Sequence, residues 1–191
     1  LLAALGLAIT FGLMGVINMA HGEMLMIGAY STFVIQNLFK EYLPSLFDWY
    51  LIAAIPTAFL VSGLIGILME RSVIRHLYGR PLETLLATWG ISLFLIQTVR
   101  LIFGAQNVEV ANPSYLSGGI QAFNGVVLPF NRIAILIFVV FVVILVWTLL
   151  QKSSLGLQVR AVTQNRGMAS CVGISTHKID MYTFGLGSGV A

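Results

Sequence analysis

No charge interrupts Ile133-Ala-Ile-Leu-Ile-Phe-Val-Val-Phe-Val-Val-Ile-Leu-Val-Trp-Thr-Leu-Leu-Gln151. A helix needs about 20 apolar residues to cross the roughly 30 Å hydrocarbon core of a bilayer, and this run fits that length. The whole chain has the same character, because 58% of its residues are hydrophobic and only 9% are charged. Average soluble domains contain about 25% charged residues. The composition therefore predicts an integral membrane protein.

Further uncharged runs of similar length lie on either side of this segment. The complete runs are Leu1–Gly22, Met24–Phe39, Trp49–Met69, Thr84–Val99 and Ile133–Gln151, and another opens at Met181. We predict an all-α fold, a polytopic helical bundle that forms a single transmembrane domain over 1–191. Because the first and last residues both fall within apolar runs, we expect the sequence to be part of a longer polytopic protein.

Basic residues are distributed unequally among the loops between these runs. Lys40 and Arg132 stand alone in 40–50 and 104–132. The loops 70–83 and 152–180 together hold Arg71, Arg75, Arg80, Lys152, Arg160, Arg166 and Lys178. Cytoplasmic loops of membrane proteins are enriched in Lys and Arg, so the count predicts that 70–83 and 152–180 are cytoplasmic and that 40–50 and 104–132 are external. The 104–132 loop, rich in Gly, Asn and Pro, is further expected to form an ordered external cap.

Several functional classes are excluded by the residues present. Cys171 is the only cysteine, so an internal disulfide is impossible, and no Cys/His cluster has metal-ligand spacing. The histidines are scattered and form no nucleophile–base pair with other residues. Leu116–Gln121 looks like the signature of ABC ATPases, but the chain has no phosphate-binding GxxxxGK[ST] loop. The basic residues form no continuous stripe for nucleic acid. We therefore predict no catalytic site, no metal site and no nucleic-acid partner.

The stretch Asn18-Met-Ala-His21-Gly22-Glu23 places a carboxylate, an imidazole and a glycine between two uncharged runs. A charge at the bilayer centre costs roughly 2.5–3.5 kcal/mol on insertion scales, so such groups face water, a partner or a substrate. Two interpretations stay equally open. The stretch is either a helix break that lines a polar pathway, or a tight cytoplasmic turn with Glu23 in water. Thr88 and Ser92 either line the same pathway or simply form hydrogen bonds between helices.

Small residues recur at spacings that favour close helix contacts. They are Gly28, Ser62, Gly63, Gly66, Gly185, Gly187 and Gly189. In the 152–180 loop, Ala161, Asn165, Ala169 and Gly173 recur every four residues. On one helix they would form a small-residue face that a partner can approach closely. We expect that helix to end at Gly173, since glycine is favoured just beyond a helix end.

Taken together, these motifs resemble a known family. The chain is similar to the membrane-spanning permease subunits of bacterial branched-chain amino acid ABC importers, the LivH-like family. The similarity is carried by Gly15–Glu23, by Gly28-Ala-Tyr30 and by Gly156–Ile174, and runs through nearly the whole chain. Residues 73–92 and 107–113 are most similar to the urea-transport branch of that family. The resemblance therefore implies a urea permease, with branched-chain amino acids as the alternative substrates.

This resemblance also implies a setting and partners. The protein would be a multi-pass protein of the bacterial inner membrane, in contact with lipid. It would pair with a second permease subunit, cytoplasmic ATPase subunits and a periplasmic solute-binding protein. The chain itself would bind no cofactor, because ATP would be used by the ATPase subunits. A small polar solute would pass near a set of polar residues, namely Asn18, His21, Gly22, Glu23, Thr88 and Ser92.

In the family, a cytoplasmic coupling loop places a short helix in a groove of the ATPase. The resemblance assigns this role to the 152–180 loop, with Arg160 pairing with an acidic rim of the ATPase. The coupling residues would be Gly156, Arg160, Ala161, Asn165, Ala169, Gly173 and Ile174. An ATP-independent channel or secondary transporter is the competing interpretation, and it would need no coupling helix.

Overall fold

The computed structural model describes residues 1–42, 47, 49–104, 106, 108, 110, 119–123 and 126–191. Eight α-helices occur within these residues. They are α1 Leu2–Met14, α2 His21–Tyr42, α3 Tyr50–Ser72, α4 Pro81–Phe103, α5 Phe130–Lys152, α6 Ser154–Gln164, α7 Arg166–Cys171 and α8 Thr176–Val190. A short antiparallel hairpin, β1 Gly119–Phe123 and β2 Val126–Pro129, precedes α5. The predicted all-α class is confirmed, with this hairpin as the small exception.

Three of the described helices are long and apolar enough to cross a membrane. They are α3 with the 3-10 turn that continues it, Tyr50–His76, and then α4 and α5. The helix α1 is also apolar but shorter. Most side chains of α5 face outward, since Val146 is its only buried residue. A helix that is apolar on all sides and unburied suits lipid or another membrane subunit.

The prediction of one span over Leu1–Gly22 is wrong. The helix α1 ends at Met14, and Gly15 follows with φ +67° while its N–H donates to the Phe11 carbonyl at 2.9 Å. Glycine adopts this left-handed conformation without the Cβ clash that other residues suffer, so it stops the helix here. Hydropathy does not register such a stop, because the residues on both sides of Gly15 are apolar.

After Gly15 the chain doubles back along α1. In the last turn of α1, the Leu13 carbonyl accepts a hydrogen bond from Thr163 Oγ1 at 2.9 Å. In its first turn, the Ala3 carbonyl lies 2.9 Å from His21 Nε2. Residues 15–20 therefore return from the end of α1 to the level of its start. As a result α2 begins inside the bundle and not at its edge.

The helix α8 lies between α1 and α3 and contacts both through glycines. On the α1 side, a Cβ added at Gly187 would lie 2.7 Å from Thr10 Cγ2 and 3.0 Å from the Gly6 carbonyl oxygen. A Cβ at Gly6 would lie 2.5 Å from the Gly187 carbonyl oxygen. Both glycines are buried. The two helices are thus in backbone contact, and no larger residue fits at either position.

The α3 side of α8 is packed in the same way. A Cβ at Gly189 would lie 3.0 Å from the Phe59 carbonyl oxygen, and one at Gly63 would lie 3.2 Å from the Gly185 carbonyl oxygen. Ser62 Oγ adds a polar contact, since it donates to the Ser188 carbonyl at 2.6 Å. The predicted close-packing roles of these glycines are confirmed.

Two other small residues give contrasting results. Gly66 lies directly against Ser188 and Phe184, as its spacing from Ser62 predicts. Gly28 has no atom within 4 Å of an added Cβ, so the close contact predicted for it is wrong. Spacing along a helix identifies a face, but it does not say whether a neighbour lies against that face.

The two basic loops lie at one end of the bundle, which we call the loop end. There the guanidinium carbon of Arg166 lies 4.5 Å from the centre of the Tyr78 ring. Residues 70–83 and 152–180 are therefore neighbours. The assignment of this end to the cytoplasm stays a prediction from the charge count. Much of the predicted 104–132 cap, including Asn107, Asn112 and Pro113, lies outside the described residues.

The contact between α1 and α8 leads to a matched pair of substitutions in one helix. We expect Gly6→Ala to destabilise the protein by about 1–3 kcal/mol, because the new methyl group would overlap the α8 backbone. Gly12→Ala adds the same methyl group to α1 where no atom lies within 4 Å, and alanine favours the helix. Thermal unfolding in detergent should show a lower Tm for Gly6→Ala only. Equal Tm values would contradict the packing described for α8.

Candidate functional site

The non-helical segment 15–20 is partly enclosed by the bundle, with Gly15 and Met19 exposed at its surface. Val16, Asn18 and Ala20 are buried, and His21, which follows them, is only 8% exposed. Glu23 is half-buried. These positions do not fit a turn that leaves its polar residues in water. The structure therefore favours a helix break inside the bundle, while the role of this break as a solute pathway stays a prediction.

Side chains satisfy the backbone at this break. The Ala20 N–H donates to Asn18 Oδ1 at 3.0 Å, and the Met19 N–H donates to Thr88 Oγ1 of α4 at 3.2 Å. The first turn of a helix leaves N–H groups without intrahelical acceptors, and buried N–H groups need partners. The two side-chain acceptors allow the chain to stay non-helical at this depth, where residues 19 and 20 form a turn. They also attach the start of α2 to α4.

Ser92 makes a second connection between α2 and α4. Its hydroxyl donates to Glu23 Oε1 at 2.6 Å. Thr88 and Ser92 are both buried on the side of α4 that faces α2, whereas Trp89 is more than half exposed. Ser92 therefore bonds between two helices, Thr88 bonds to the non-helical segment, and each also contributes to the polar region around the break.

Three buried polar atoms at the start of α2 have no hydrogen-bond partner among the described residues. They are Asn18 Nδ2, His21 Nδ1 and Glu23 Oε2. A carbonyl can only accept, so His21 Nε2 must donate to Ala3, and Nδ1 of the neutral ring is left as an acceptor. Buried polar atoms in proteins usually have partners. One donor and two acceptors are therefore available here for a polar solute or water.

The sequence-predicted pathway residues are thus partly brought together. Asn18, His21, Glu23, Thr88 and Ser92 surround the start of α2. Gly22 is exposed and has no atom within 4 Å of an added Cβ, so close packing does not explain that glycine.

The helix predicted through 156–173 is broken. Asn165 is extended, with φ −154° and ψ 98°, and separates α6 from α7. Its Oδ1 accepts the Met168 N–H at 3.0 Å, which is the usual bonding of an N-cap asparagine. The four-residue repeat therefore does not form one face. Ala169 is buried against Val159 and Val162 and cannot contact a partner without rearrangement.

Other residues of the repeat differ in exposure from Ala169. Ala161 is half-buried, whereas Asn165 and Gly173 are exposed. Two larger apolar side chains are exposed at α7 instead, Met168 on the helix at 63% and Val172, directly after its end, at 75%. Sequence reasoning missed these two residues, which together with Leu157 of α6 are the exposed large apolar side chains of the 152–180 loop.

The predicted helix end at Gly173 is confirmed. The helix α7 ends at Cys171, and Gly173 follows with φ +89°. The Gly173 N–H donates to the Ser170 carbonyl and the Ile174 N–H donates to the Ala169 carbonyl, both at 3.0 Å. This pair of bonds is the Schellman arrangement that closes many helices.

Gly156 and Arg160 hold α6 against the end of α5. The Gly156 N–H donates to Ser153 Oγ at 3.1 Å, and a Cβ at Gly156 would overlap the Leu150 carbonyl. Arg160 donates to that same Leu150 carbonyl. The expected pairing of Arg160 with a partner's acidic residue stays a prediction. Within the chain, the guanidinium already joins two helices.

A polar cluster at the loop end was not predicted. Arg166, the first residue of α7, forms an ion pair with Asp180 of α8 and stacks over the ring of Tyr78. Glu70, near the end of α3, completes this group, which we call the Arg166 cluster. Glu70 is 2% exposed and Asp180 is 3% exposed. The cluster connects α3, α7, α8 and the 70–83 loop.

The electrostatics of the Arg166 cluster keep Tyr78 protonated. Burial raises the pKa of the Tyr78 phenol, and the negative charges of Asp180 and Glu70 raise it further, while Arg166 opposes them. A tyrosine phenol is protonated at physiological pH already at its ordinary pKa, and the raised pKa moves its titration further from that range. Sequence analysis missed this group because its members come from four separate segments. The one available signal was a carboxylate, Asp180, directly before an apolar run.

Comparison with known proteins provides the identity of the chain's relatives. Residues 1–191 match the family described as "Branched-chain amino acid transport system / permease component". The chain is 33% identical to the "High-affinity branched-chain amino acid transport system permease protein BraD" of Pseudomonas aeruginosa. It is 30% identical to the corresponding LivH proteins of Escherichia coli K12 and Salmonella typhimurium. Each comparison covers 100% of this chain and 63% of the relative. No solved structure matches the chain.

The Arg166–Asp180 pair gives a stability prediction. Removing one partner of a fully buried pair costs about 3–5 kcal/mol, because it leaves a buried charge unpaired. The Arg166 side chain is 43% exposed, so we expect Arg166→Gln to cost less, about 1–3 kcal/mol. The double variant Arg166→Gln with Asp180→Asn should recover most of this loss. Thermal unfolding of the four proteins in a double-mutant cycle measures the coupling. Additive effects would contradict the ion pair, and Lys178→Gln provides an exposed control.

Proposed function

Because this chain belongs to the family of permease components of branched-chain amino acid transport systems, we propose that it is the membrane-spanning permease subunit of an ATP-driven bacterial importer. The observation that carries the proposal is the match of every residue of the chain to that family. The presence of several apolar helices of membrane-spanning length supports a multi-pass subunit of the inner membrane. ATP hydrolysis would take place on separate cytoplasmic subunits.

The substrate we propose is a branched-chain amino acid. The relatives from Pseudomonas, Escherichia and Salmonella are all named for that substrate class, and they align over the whole chain. The urea prediction depended on the local stretches 73–92 and 107–113, and part of the second stretch lies outside the described residues. Similarity over the whole chain outweighs similarity over these two stretches. Urea is therefore the second candidate.

The geometry supports α7 as the helix that docks on an ATPase. Met168 on α7 and Val172 directly after its end are four residues apart and are exposed. Two apolar side chains on a short helix provide an anchor for a groove in a partner. Such an anchor favours the ATP-driven importer over a channel, which needs no docking helix.

The Arg166 cluster provides a route for motion from α7 into the bundle. Arg166 binds Asp180 near the start of α8, and α8 is in backbone contact with both α1 and α3. A displacement of α7 would therefore be passed to α8 through this ion pair. Since α8 contacts Gly6 and Gly6 contacts His21, the same displacement reaches the start of α2.

The break at the start of α2 is the proposed solute pathway. Asn18, His21 and Glu23 offer one donor and two acceptors without partners among the described residues, and Thr88 and Ser92 border them. The loaded solute-binding protein would deliver the solute from the periplasm, and a second permease subunit would complete the pathway. A polar solute needs hydrogen-bonding groups of this kind where a helix is interrupted in a membrane.

Topology can be tested through Cys171, which is exposed at the end of α7. In the full-length protein, with any cysteine outside 1–191 replaced, a membrane-impermeant maleimide should label Cys171 only from the cytoplasmic side. Addition of the ATPase subunits should reduce the labelling rate at least tenfold, because Cys171 adjoins the proposed docking residues. Labelling from the periplasmic side would overturn the topology. Unchanged labelling with the ATPase present would rule out docking through α7.

Transport function can be tested by ATP hydrolysis in the reconstituted importer. Leucine-loaded binding protein should stimulate hydrolysis, and urea should not. The variant Met168→Asp with Val172→Asp should lose at least nine-tenths of this stimulation, because a charge in an apolar docking groove is desolvated without a partner. Met168→Leu keeps an apolar side chain and should retain the stimulation. Stimulation by urea alone would reverse the substrate assignment, and stimulation unaffected by the aspartates would remove α7 from the docking site.

A further inference from the structure

A pocket of about 260 Å³ lies at the loop end, between the first two turns of α6 and the first two turns of α8. One water molecule takes about 30 Å³ in the liquid, so the pocket has room for a larger group. Leu155 and Ile179 form its apolar part. The other lining residues carry polar groups, and they are Ser154, Gln158, Ser175, Lys178 and Tyr182.

The polar side chains of this pocket have no hydrogen-bond or ion-pair partner among the described residues. Polar groups nearby are paired within the chain, since Arg160 donates to the Leu150 carbonyl and Arg166 binds Asp180. The hydroxyl, amide and ammonium groups of the pocket are therefore available to a molecule from outside the chain.

Lys178 gives the pocket a positive charge that no neighbouring carboxylate offsets. None of the lining residues is acidic. Asp180 is close in sequence, but it is buried and paired with Arg166, and residues two apart on a helix do not face each other. Several donors around one positive charge suit an anionic group with several acceptor oxygens, such as a phosphate.

The pocket lies at the level of the lipid headgroups. The apolar helix α5 has 23 residues and is about 35 Å long, whereas the hydrocarbon core of a bilayer is about 30 Å thick. Ser154 follows the last residue of α5 by two positions, so it lies just outside the hydrocarbon core when α5 spans the membrane. The phosphate groups of phospholipids lie in the same layer.

Exposed apolar surface borders the pocket. Leu157 is exposed and follows Ser154 by three residues on α6, so the two residues share a helix face. The exposed Tyr182 ring lines the pocket itself, and tyrosine is enriched where a membrane meets water. A bound molecule would therefore meet hydrogen-bond donors and apolar surface side by side.

We propose that this pocket binds the headgroup of an anionic phospholipid. The phosphate group would accept hydrogen bonds from Lys178, Ser154 and Ser175, and the acyl chains would lie against Leu157 and the outward-facing side chains of α5. This inference goes beyond the proposed function and does not depend on it, because lipid binding requires neither a solute nor ATP.

The test measures binding of radiolabelled phosphatidylglycerol to the full-length permease in detergent micelles, with unlabelled lipids as competitors. Phosphatidylglycerol should compete better than phosphatidylcholine, which has the same phosphate but no net charge. We expect Lys178→Gln to weaken phosphatidylglycerol binding about fivefold, the effect of one basic residue beside an anionic headgroup, and Lys178→Arg to retain it. Lys152→Gln removes another exposed lysine, two residues before Ser154 but outside the pocket wall, and should bind the lipid normally.

Three results would overturn the lipid site. Equal competition by the two lipids, or equal weakening by Lys178→Gln and Lys152→Gln, would mean that no specific headgroup site exists at the pocket. Full displacement of the lipid by inorganic phosphate would mean that the pocket binds a free anion. Loss of the bound lipid when the ATPase subunits are added would mean that an acidic protein surface covers the pocket. Leucine-stimulated ATP hydrolysis tests the proposed function separately, so either inference can fail while the other stands.

Discussion

Close backbone contact between α8 and its two neighbours, α1 and α3, is the constraint on which the rest of the described bundle depends. Glycines at the crossing points remove the side chains that would otherwise separate these helices. Because the contacts are made by backbone atoms, α8 cannot shift by side-chain rearrangement alone. The part of α8 near its start, at Asp180, is held by an ion pair with Arg166 of α7. The loop end is therefore connected to the interior of the bundle through α8.

At the break between α1 and α2, the chain leaves the helical conformation and places polar groups inside the bundle. The backbone N–H groups there still have hydrogen-bond partners. Thr88 and Asn18 satisfy two backbone N–H groups, and Ser92 binds the carboxylate that follows. The remaining polar atoms, Asn18 Nδ2, His21 Nδ1 and Glu23 Oε2, are buried without a partner among the described residues.

The sequence predicts the class of fold because long uncharged runs have few alternatives to membrane helices. It also predicts the close contacts of Gly185–Gly189 and the helix end at Gly173. Glycine lets helices approach closely, and it is favoured just beyond a helix end. The end of α1 at Gly15 was missed, although a break at Asn18–Glu23 was one of two interpretations, since a glycine among apolar residues can either pack or stop a helix. The repeat through Asn165 was misleading because asparagine caps helices as readily as it occurs within them. The Arg166 cluster was not predicted, because its residues come from four segments that are distant in the sequence.

The segment 15–20 differs from the surrounding helices in how it can open. Releasing a residue from a helix interior disturbs the bonds of the turn around it. The amides of Met19 and Ala20 are held by single side chains, Thr88 and Asn18, and each can be released by one χ1 rotation. Exchange of these amide protons with water thus requires only small local openings. The fold contains, between two ordered helices, a stretch of backbone that can change its hydrogen bonds while no helix unwinds.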